Sequence, residues 1–278
     1  MKKTITLFTC LITGLTLLSF VSKKDKTFET SKCFKQKFAL VPSGSVFIDG
    51  SETQVEGFYI SKTEIANYEY NRFVQDIAAS GNTELLNRIK LDANQWETIC
   101  GNKPLVLSYC NSPMYSQYPA VNMTYDGAIE YCKWLTEKAN KESSNGLVYE
   151  YRLPTRLEWI RAAEGKLHRI DFAWGGPNAR NNKGCMLCQC NRSTEPKPVF
   201  DMTTYTSPSY SYFPNSIGLY NMNGNVAEMV SEKGVAVGGS WASKDTDVKN
   251  LSTMSYEKPS PLVGFRPIVV VKNGETSN

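Results

Sequence analysis

Cysteine spacing is the feature of this chain that most directly suggests chemistry. The chain has eight cysteines, and the densest group is Cys185-x2-Cys188-x-Cys190. Structural zinc needs four ligands, yet no second Cys-x-x-Cys pair occurs and the one histidine, His168, lies seventeen residues before the group. We therefore interpret these residues as disulfide partners or core cysteines, as is usual in exported chains. Without Cys10, which lies in the apolar N-terminal segment, an odd number remains, so at least one cannot pair within the chain.

The single histidine narrows the function classes. Iron centres with two histidines, histidine-rich zinc centres and His-Glu-x-x-His proteases all need at least two imidazoles from the chain. A Ser-His-Asp hydrolase needs one, but no Gly-x-Ser-x-Gly turn accompanies His168. We therefore expect His168 to be a surface residue and not a general base.

The first 22 residues have the pattern of an export signal. Two lysines follow Met1, residues 5–21 carry no charge, and lysines begin again at Lys23. A basic start before an apolar stretch is typical of export signals, and the stretch is shorter than the about 20 residues of a membrane span. Because Phe20-Val21-Ser22 is a poor cleavage site, an uncleaved anchor that associates with the membrane stays open. We expect the chain in the periplasm or the membrane-associated cell envelope.

The rest of the chain is expected to contain one domain. Residues 23–37 are polar and lysine-rich, which indicates a tether, residues 38–272 form the domain, and residues 273–278 form a tail. Loss of residues 1–22 lowers the net charge from +4 to +2, and no stripe of basic and aromatic residues occurs. The sequence therefore indicates no nucleic-acid partner.

Residue patterns predict strands and helices in the first half of the domain. Residues 38–48 read as two short strands about a Pro-Ser-Gly turn, and residues 55–60 as a third. Asn67 is predicted to cap a helix with Tyr70, Phe73 and Ile77 on one face. Residues 80–119 look irregular, like an insertion that a Cys100–Cys110 disulfide could staple.

Further along, the patterns change from helical to loop-rich. Apolar spacing predicts a helix over residues 126–139. A capping box of Thr155 and Glu158 predicts a helix start ahead of Trp159. After Gly165, glycine, asparagine, proline and serine interrupt short aromatic runs, so we expect long ordered loops with a few strands. Loops of that length need crosslinks or ions to stay ordered.

Several blocks together resemble a known family. These are Tyr118-Pro-Ala-Val-Asn-Met-Thr-Tyr-Asp126, Arg152-Leu-Pro-Thr155 with Glu158-Trp159, Gly218-Leu-Tyr-Asn-Met-Asn-Gly-Asn225, Gly238-Gly-Ser-Trp241 and Gly264-Phe-Arg266. Their types and order resemble the sulfatase-modifying-factor family, which includes the formylglycine-generating enzyme. The resemblance implies an α+β fold: a single loop-rich domain, related to C-type lectins, with bound structural calcium.

The resemblance also implies which residues bind calcium. In the family pattern, Asn221 and Glu228 supply side chains, and Gly224 and Val226 supply carbonyl oxygens. The chemistry is reasonable in itself, because Ca²⁺ takes six to eight hard oxygens and alternate residues of an extended segment face one side. The second family site is implied at a less closely matched stretch, with ligands from Asn191, Arg192, Asp201 and Thr203.

The family's oxidase chemistry lacks its ligands in this chain. The resemblance implies two cysteines that hold Cu(I) between the Gly-Gly-Ser and Gly-Phe-Arg blocks, but residues 238–264 contain no cysteine. The iron-dependent branch of the family uses histidines that this chain does not have. We therefore expect neither copper nor iron, and we interpret the chain as a pseudoenzyme.

The remaining branch of the family is non-catalytic. Arg180-Asn-Asn-Lys-Gly-Cys185 and the export signal look similar to gliding-motility and type IX secretion lipoproteins of the cell envelope. The sequence therefore predicts an exported scaffold or interaction protein with other envelope proteins as partners.

Two alternatives are kept open. One is a formylglycine-generating-type oxidase that acts on protein cysteine through two of Cys185, Cys188 and Cys190. The other is a lectin-like module with a groove lined by aromatic residues. Those aromatic residues are Tyr205, Tyr210, Tyr212 and Trp241.

Overall fold

A four-stranded antiparallel sheet joins the beginning, middle and end of the domain. Its order is β1 (Phe38–Val41), β4 (Phe58–Ser61), β10 (Ile268–Asn273) and β5 (Leu147–Arg152). Because β10 is central, the C-terminal strand cannot pair until the whole chain has folded around it. The computed structural model describes residues 32–143, 146–191 and 205–273.

Two long helices cover this sheet and form the largest core. They are α2 (Asn67–Ala79) and α6 (Tyr125–Glu142). Tyr131 lies at the centre of their contact, with ring centroids 5.5 Å from Phe73 and 5.4 Å from Phe265. Edge-to-face pairs of this kind add stabilisation beyond buried area. The predicted helix over residues 126–139 is therefore confirmed and extends by a few residues.

A second core forms around helix α7 (Arg156–Glu164) and a hairpin of β2 (Gly44–Ile48) and β3 (Ser51–Val55). The predicted capping box is present, because Thr155 Oγ1 accepts from the Glu158 amide and Glu158 accepts from the Thr155 amide. The predicted strand over residues 55–60 is split into β3 and β4 at a glycine.

The second half contains one small sheet and long loops. The sheet has the order β8 (Thr253–Ser255), β7 (Val235–Val237), β6 (Ala227–Met229) and β9 (Val263–Gly264), with β6 and β9 parallel. After α7, the described residues contain no α-helix and one 3-10 turn. The expected loop-rich α+β architecture is confirmed.

The interpretation of residues 80–119 as irregular was wrong. This stretch contains α3 (Thr83–Ile89), α4 (Gln95–Cys100), α5 (Lys103–Ser108) and a 3-10 turn at Pro113–Tyr115. Asparagines start α3 and α5 by accepting a backbone amide, and these helices are too short to show an apolar period.

The expected cysteine crosslinks are also absent from the described part of the chain. All six cysteines with described side chains are thiols, so Cys100 and Cys110 form no staple. Both instead contribute to an apolar cluster around Trp96. Burial raises the pKa of Cys100 to about 11 and that of Cys110 to about 12. Packing, in place of a disulfide, holds this region.

Two further expectations need correction near the N-terminal end. Ala66, not Asn67, is the N-cap of α2, and the Asn67 side chain donates to the carbonyl oxygens of Tyr109 and Tyr115 instead. The last six residues of the predicted tether form α1 (Lys32–Lys37). Phe34 of this helix is buried, so the folded region begins before residue 38. The predicted export signal and the C-terminal tail after Asn273 lie outside the described residues, among which no helix is long and apolar enough to cross a membrane.

Candidate functional site

The segment Gly218 to Glu228 runs through the middle of the second half and holds two neighbouring segments together. The Gly224 amide donates to the carbonyl of Gly238, and the Asn225 amide donates to that of Gln189. The Trp241 amide in turn donates to the Asn225 carbonyl. The segment thus links the cysteine-rich loop before residue 191 to the Gly-Gly-Ser-Trp block.

This close approach requires glycine at position 224. Gly224 has φ +81°, and a Cβ there would come within 2.4 Å of the Gln189 carbonyl oxygen. Asn221 and Asn225 also have positive φ, of 52° and 63°. Asparagine tolerates this conformation better than most residues, which explains the residue types of the motif.

A buried ion pair lies at the end of the segment. Glu228 accepts from Nε and Nη2 of Arg266, each at 2.6 Å, and from Nε1 of Trp159 at 2.7 Å. The two charged side chains are 1% and 0% exposed. Burial opposes the charge of Arg266, but the attraction of Glu228 outweighs it and raises the Arg266 pKa. Arg266 is therefore a fixed cation of the core.

Arg266 also satisfies backbone groups from distant parts of the chain. Its Nη1 donates to the carbonyl oxygens of Ser61 and Lys62, and its Nη2 donates to that of Tyr220 at 2.8 Å. One guanidinium thus joins the end of β4, the loop before Asn221, and strand β6. Lysine could not make these fixed planar contacts.

A second buried carboxylate, that of Glu64, lies next to this pair. Glu64 is fully buried and accepts from Nδ2 of Asn225 at 2.9 Å and from Nδ2 of Asn221 at 3.3 Å. Both donors are neutral amides. Burial raises the pKa of Glu64 to about 8, with the charge of Glu228 adding to the shift and that of Arg266 opposing it. Two carboxylates therefore share the field of one arginine.

The first predicted calcium group can be located on this framework. Glu228 has about four lone-pair positions, of which Arg266 and Trp159 use three, so Oε1 keeps one. Within the described residues, neither Oδ1 of Asn221 nor the Gly224 carbonyl oxygen accepts a hydrogen bond. These hard oxygens fit Ca²⁺ chemically, with Val226 as the fourth predicted ligand. The calcium assignment stays a prediction.

The second predicted calcium group lies mostly outside the described residues. Arg192, Asp201 and Thr203 are among the residues not described. Asn191 is described: its amide donates to the Ser243 carbonyl, and it forms a bridge with Lys244. In the described ranges, no group of three histidine, cysteine or acidic side chains is arranged to hold a metal ion.

The structure brings two of the clustered cysteines together. Cys188 and Cys190 contact each other through their side chains and lie in an apolar cluster with Phe172, Ala179 and Val248. Cys188 is 3% and Cys190 is 6% exposed. The hydrogen bond with Cys190 and then burial raise the pKa of Cys188 well above its usual range. Cys185, by contrast, is exposed at the surface.

The four aromatic residues proposed for a lectin-like groove do not converge. Trp241 and Tyr205 lie 4.9 Å apart and pack around Trp96 in an apolar cluster. Tyr210 packs against Tyr220 at another place, and Tyr212 donates to Oε1 of Gln189. The described side chains therefore do not form one aromatic groove.

Sequence reasoning missed Glu64 as a member of this site. Glu64 stands in Thr63-Glu64-Ile65-Ala66, where its neighbours are buried. A lone charged residue within a buried stretch could have signalled a buried partner. Arg266 was noted as part of a motif, but its pairing with Glu228, 38 positions before it, has no local signal.

Comparison with known proteins agrees with the fold. A family model described as the sulfatase-modifying factor enzyme 1-like domain matches residues 25–271. The formylglycine-generating enzyme of Thermomonospora curvata is 32% identical over 117 residues, or 41% of this chain and 33% of that protein. The enzyme of the same name from Mus musculus is 26% identical over 200 residues, or 64% of this chain and 50% of that protein.

A solved structure is also similar. The structure of CarF superposes with a TM-score of 0.57 at 18% identity, covering 84% of this chain and 97% of CarF. At this identity the likeness shows the fold alone. The chain spans between a third and a half of the length of the two formylglycine-generating enzymes.

Replacing Glu64 by glutamine should change how stability depends on pH. The folded-state pKa of Glu64, about 8, lies above its ordinary value of 4.5, so the folded protein binds more protons than the unfolded chain between these values. The wild-type free energy of unfolding should therefore fall as pH rises through this window, by up to about 1.4 kcal/mol per pH unit. Glu64→Gln should flatten this fall in urea unfolding at pH 5, 7 and 9.

The matched control is the exposed Glu84→Gln, which should leave the pH dependence unchanged. Equal slopes for the wild type and Glu64→Gln would show that Glu64 is not protonated by its buried position.

Proposed function

The chain belongs to the family of sulfatase-modifying factor enzyme 1-like domains, and we propose that it is a non-catalytic interaction protein of the cell envelope. In this proposal the chain is exported, keeps the family's fold as a rigid surface, and meets other envelope proteins in an assembly of the gliding-motility or type IX secretion kind. The family's oxidase chemistry is absent from it.

One observation carries the proposal: residues 238–264 contain no thiol. The interval instead presents hydroxyl and apolar side chains, with Ser240 and Ser243 in contact with each other and Val248 fully buried. Cu(I) prefers soft thiolate ligands, and hydroxyl oxygens do not replace them. The place that the family uses for its reactive cysteines is thus filled with residues of a different chemistry.

The burial of Cys188 and Cys190 argues against an oxidase built on this pair. A substrate cysteine would have to reach the catalytic sulfur atoms, yet both thiols are almost completely buried. The reactive form of cysteine is the thiolate, and the pKa of Cys188 is raised by its bond with Cys190 and by burial. The exposed Cys185 lies apart from this buried cluster.

An exposed apolar surface supports the interaction role. We call it the aromatic face and define it by Tyr68, Met114, Tyr210 and Phe213, which are 51%, 64%, 55% and 85% exposed. Their segments are joined, because the Tyr68 amide donates to the Ser116 carbonyl and the Ser209 amide donates to that of Gln117. Exposed apolar side chains grouped in this way are typical of protein-binding surfaces.

The first prediction concerns catalysis. The purified chain, incubated with a cysteine-containing sulfatase peptide, copper and oxygen, should convert none of it to the aldehyde, because the interval holds no thiol ligand. Mass spectrometry of the peptide provides the measurement. Conversion that Cys188→Ser abolishes and Cys132→Ser preserves would overturn the non-catalytic assignment in favour of the alternative oxidase.

The second prediction concerns the aromatic face. A photo-crosslinking phenylalanine analogue at position 213, in the full chain expressed in its native host, should yield discrete light-dependent adducts in the envelope fraction. Leu40 is a matched control, because it is also apolar and 55% exposed but lies on β1. Equal adducts at both positions, or none at 213, would count against the interaction surface.

The third prediction concerns calcium, which we propose as a brace for the loops around Asn221, Gly224, Val226 and Glu228. A ligand that binds only the folded state at a hundred times its Kd stabilises by about 2.7 kcal/mol. Chelation with EDTA should therefore lower the Tm by several degrees, and Ca²⁺, but not Mg²⁺, should restore it. A Tm unaffected by EDTA would remove the calcium part of the proposal.

A further inference from the structure

We propose that Cys188, Cys190 and Met186 form a closed binding site for a soft monovalent cation, Cu(I). The site does not use the interval 238–264 for its ligands, and it is independent of the proposed interaction role. Its basis is the meeting of two thiols and a thioether within five residues of one loop.

The donor types favour a soft ion. Cys188 and Cys190 are in side-chain contact, and Met186 packs against the same cluster. Thiolate and thioether sulfur select Cu(I) over Ca²⁺ and Mg²⁺, which prefer oxygen. Three sulfur atoms without an oxygen or nitrogen donor are an unusual group for a purely structural core.

The number of donors argues against zinc. A structural zinc site takes four ligands in a tetrahedron. Within the described ranges, no third histidine, cysteine, aspartate or glutamate is positioned with the pair to hold a metal. Cu(I), a d10 ion, is satisfied by two thiolates in a near-linear arrangement, with a thioether as a weaker third ligand.

The surroundings form a dry cavity wall. Phe172 is 2% exposed and stacks on Trp174 with ring centroids 4.9 Å apart. Val248, which is fully buried, closes another side. Apolar walls keep out water and oxygen donors, which stabilises the reduced state of copper.

The local charges are consistent with a bound monocation. Asp245 is near enough to raise the pKa of Cys188, so a second negative charge there needs compensation. Lys244 lies beside the loop through its bridge with Asn191. Binding replaces two thiol protons by one Cu⁺, which gives a bis-thiolate complex of charge −1 and releases two protons.

The loop also has fixed geometry before an ion binds. The Leu187 amide donates to the Ala179 carbonyl, and Arg180 and Met186 form a bridge. On the other side, Gly224 lies so close to the loop that a Cβ there would be 3.3 Å from Cβ of Cys188. The sulfur donors are therefore held by backbone contacts on both sides, which lowers the entropy lost on binding.

The test is an anaerobic Cu(I) titration of the full chain in competition with a chromogenic Cu(I) chelator. The wild type should bind one equivalent and show a thiolate-to-copper absorption band in the ultraviolet. Cys188→Ser and Cys190→Ser should each lose this binding. Cys185→Ser, which removes the exposed neighbouring thiol, and Cys132→Ser, which removes a buried thiol elsewhere, should keep it.

Two further measurements protect the test against misfolded variants. Met186→Leu, which conserves volume, should keep the wild-type fold by circular dichroism and weaken Cu(I) binding by about tenfold. The wild-type affinity should rise on the order of a hundredfold per pH unit below the thiol pKa values, because two protons leave. Unchanged binding in Cys188→Ser, equal loss in Cys185→Ser, or equally tight Zn²⁺ binding would overturn the site.

Discussion

The structure depends on one buried ion pair, that of Arg266 and Glu228. Taking both charges out of water is costly, and the cost is offset only when every donor and acceptor is satisfied. Here the carboxylate is held by the guanidinium and by Trp159, and the remaining donors of Arg266 are held by carbonyl oxygens of Ser61, Lys62 and Tyr220. Strands β4 and β6, helix α7 and the loop before Asn221 must therefore reach their places together.

Glu64 shows the consequence of this constraint. A second carboxylate beside one arginine leaves the centre with too much negative charge, and burial favours its neutral form. The asparagines at positions 221 and 225 respond by turning amide donors towards it and by accepting positive φ. The same turn at Gly224 brings the chain against the loop of Cys188, so the geometry of the sulfur cluster follows from that of the ion pair.

Much of the fold could be predicted because its signals are local. The capping box of Thr155 and Glu158 marks α7 within four residues, and α6 shows its apolar period over several turns. The short helices between residues 83 and 108 could not be predicted, since their stability comes from packing on Trp96 and not from their own pattern. Asn67 was wrongly assigned as a cap for a similar reason: its side chain has partners more than forty positions away.

The sequence by itself determined the family, the loop-rich α+β class and the absence of cysteine after residue 190, because residue types and their order carry that information. Only the tertiary structure decided which groups meet. It paired Arg266 with Glu228, placed Glu64 beside them, and enclosed Cys188 and Cys190 while leaving Cys185 exposed. Burial and contact between distant segments set charge, pKa and access, and neither is encoded in the spacing of residues along the chain.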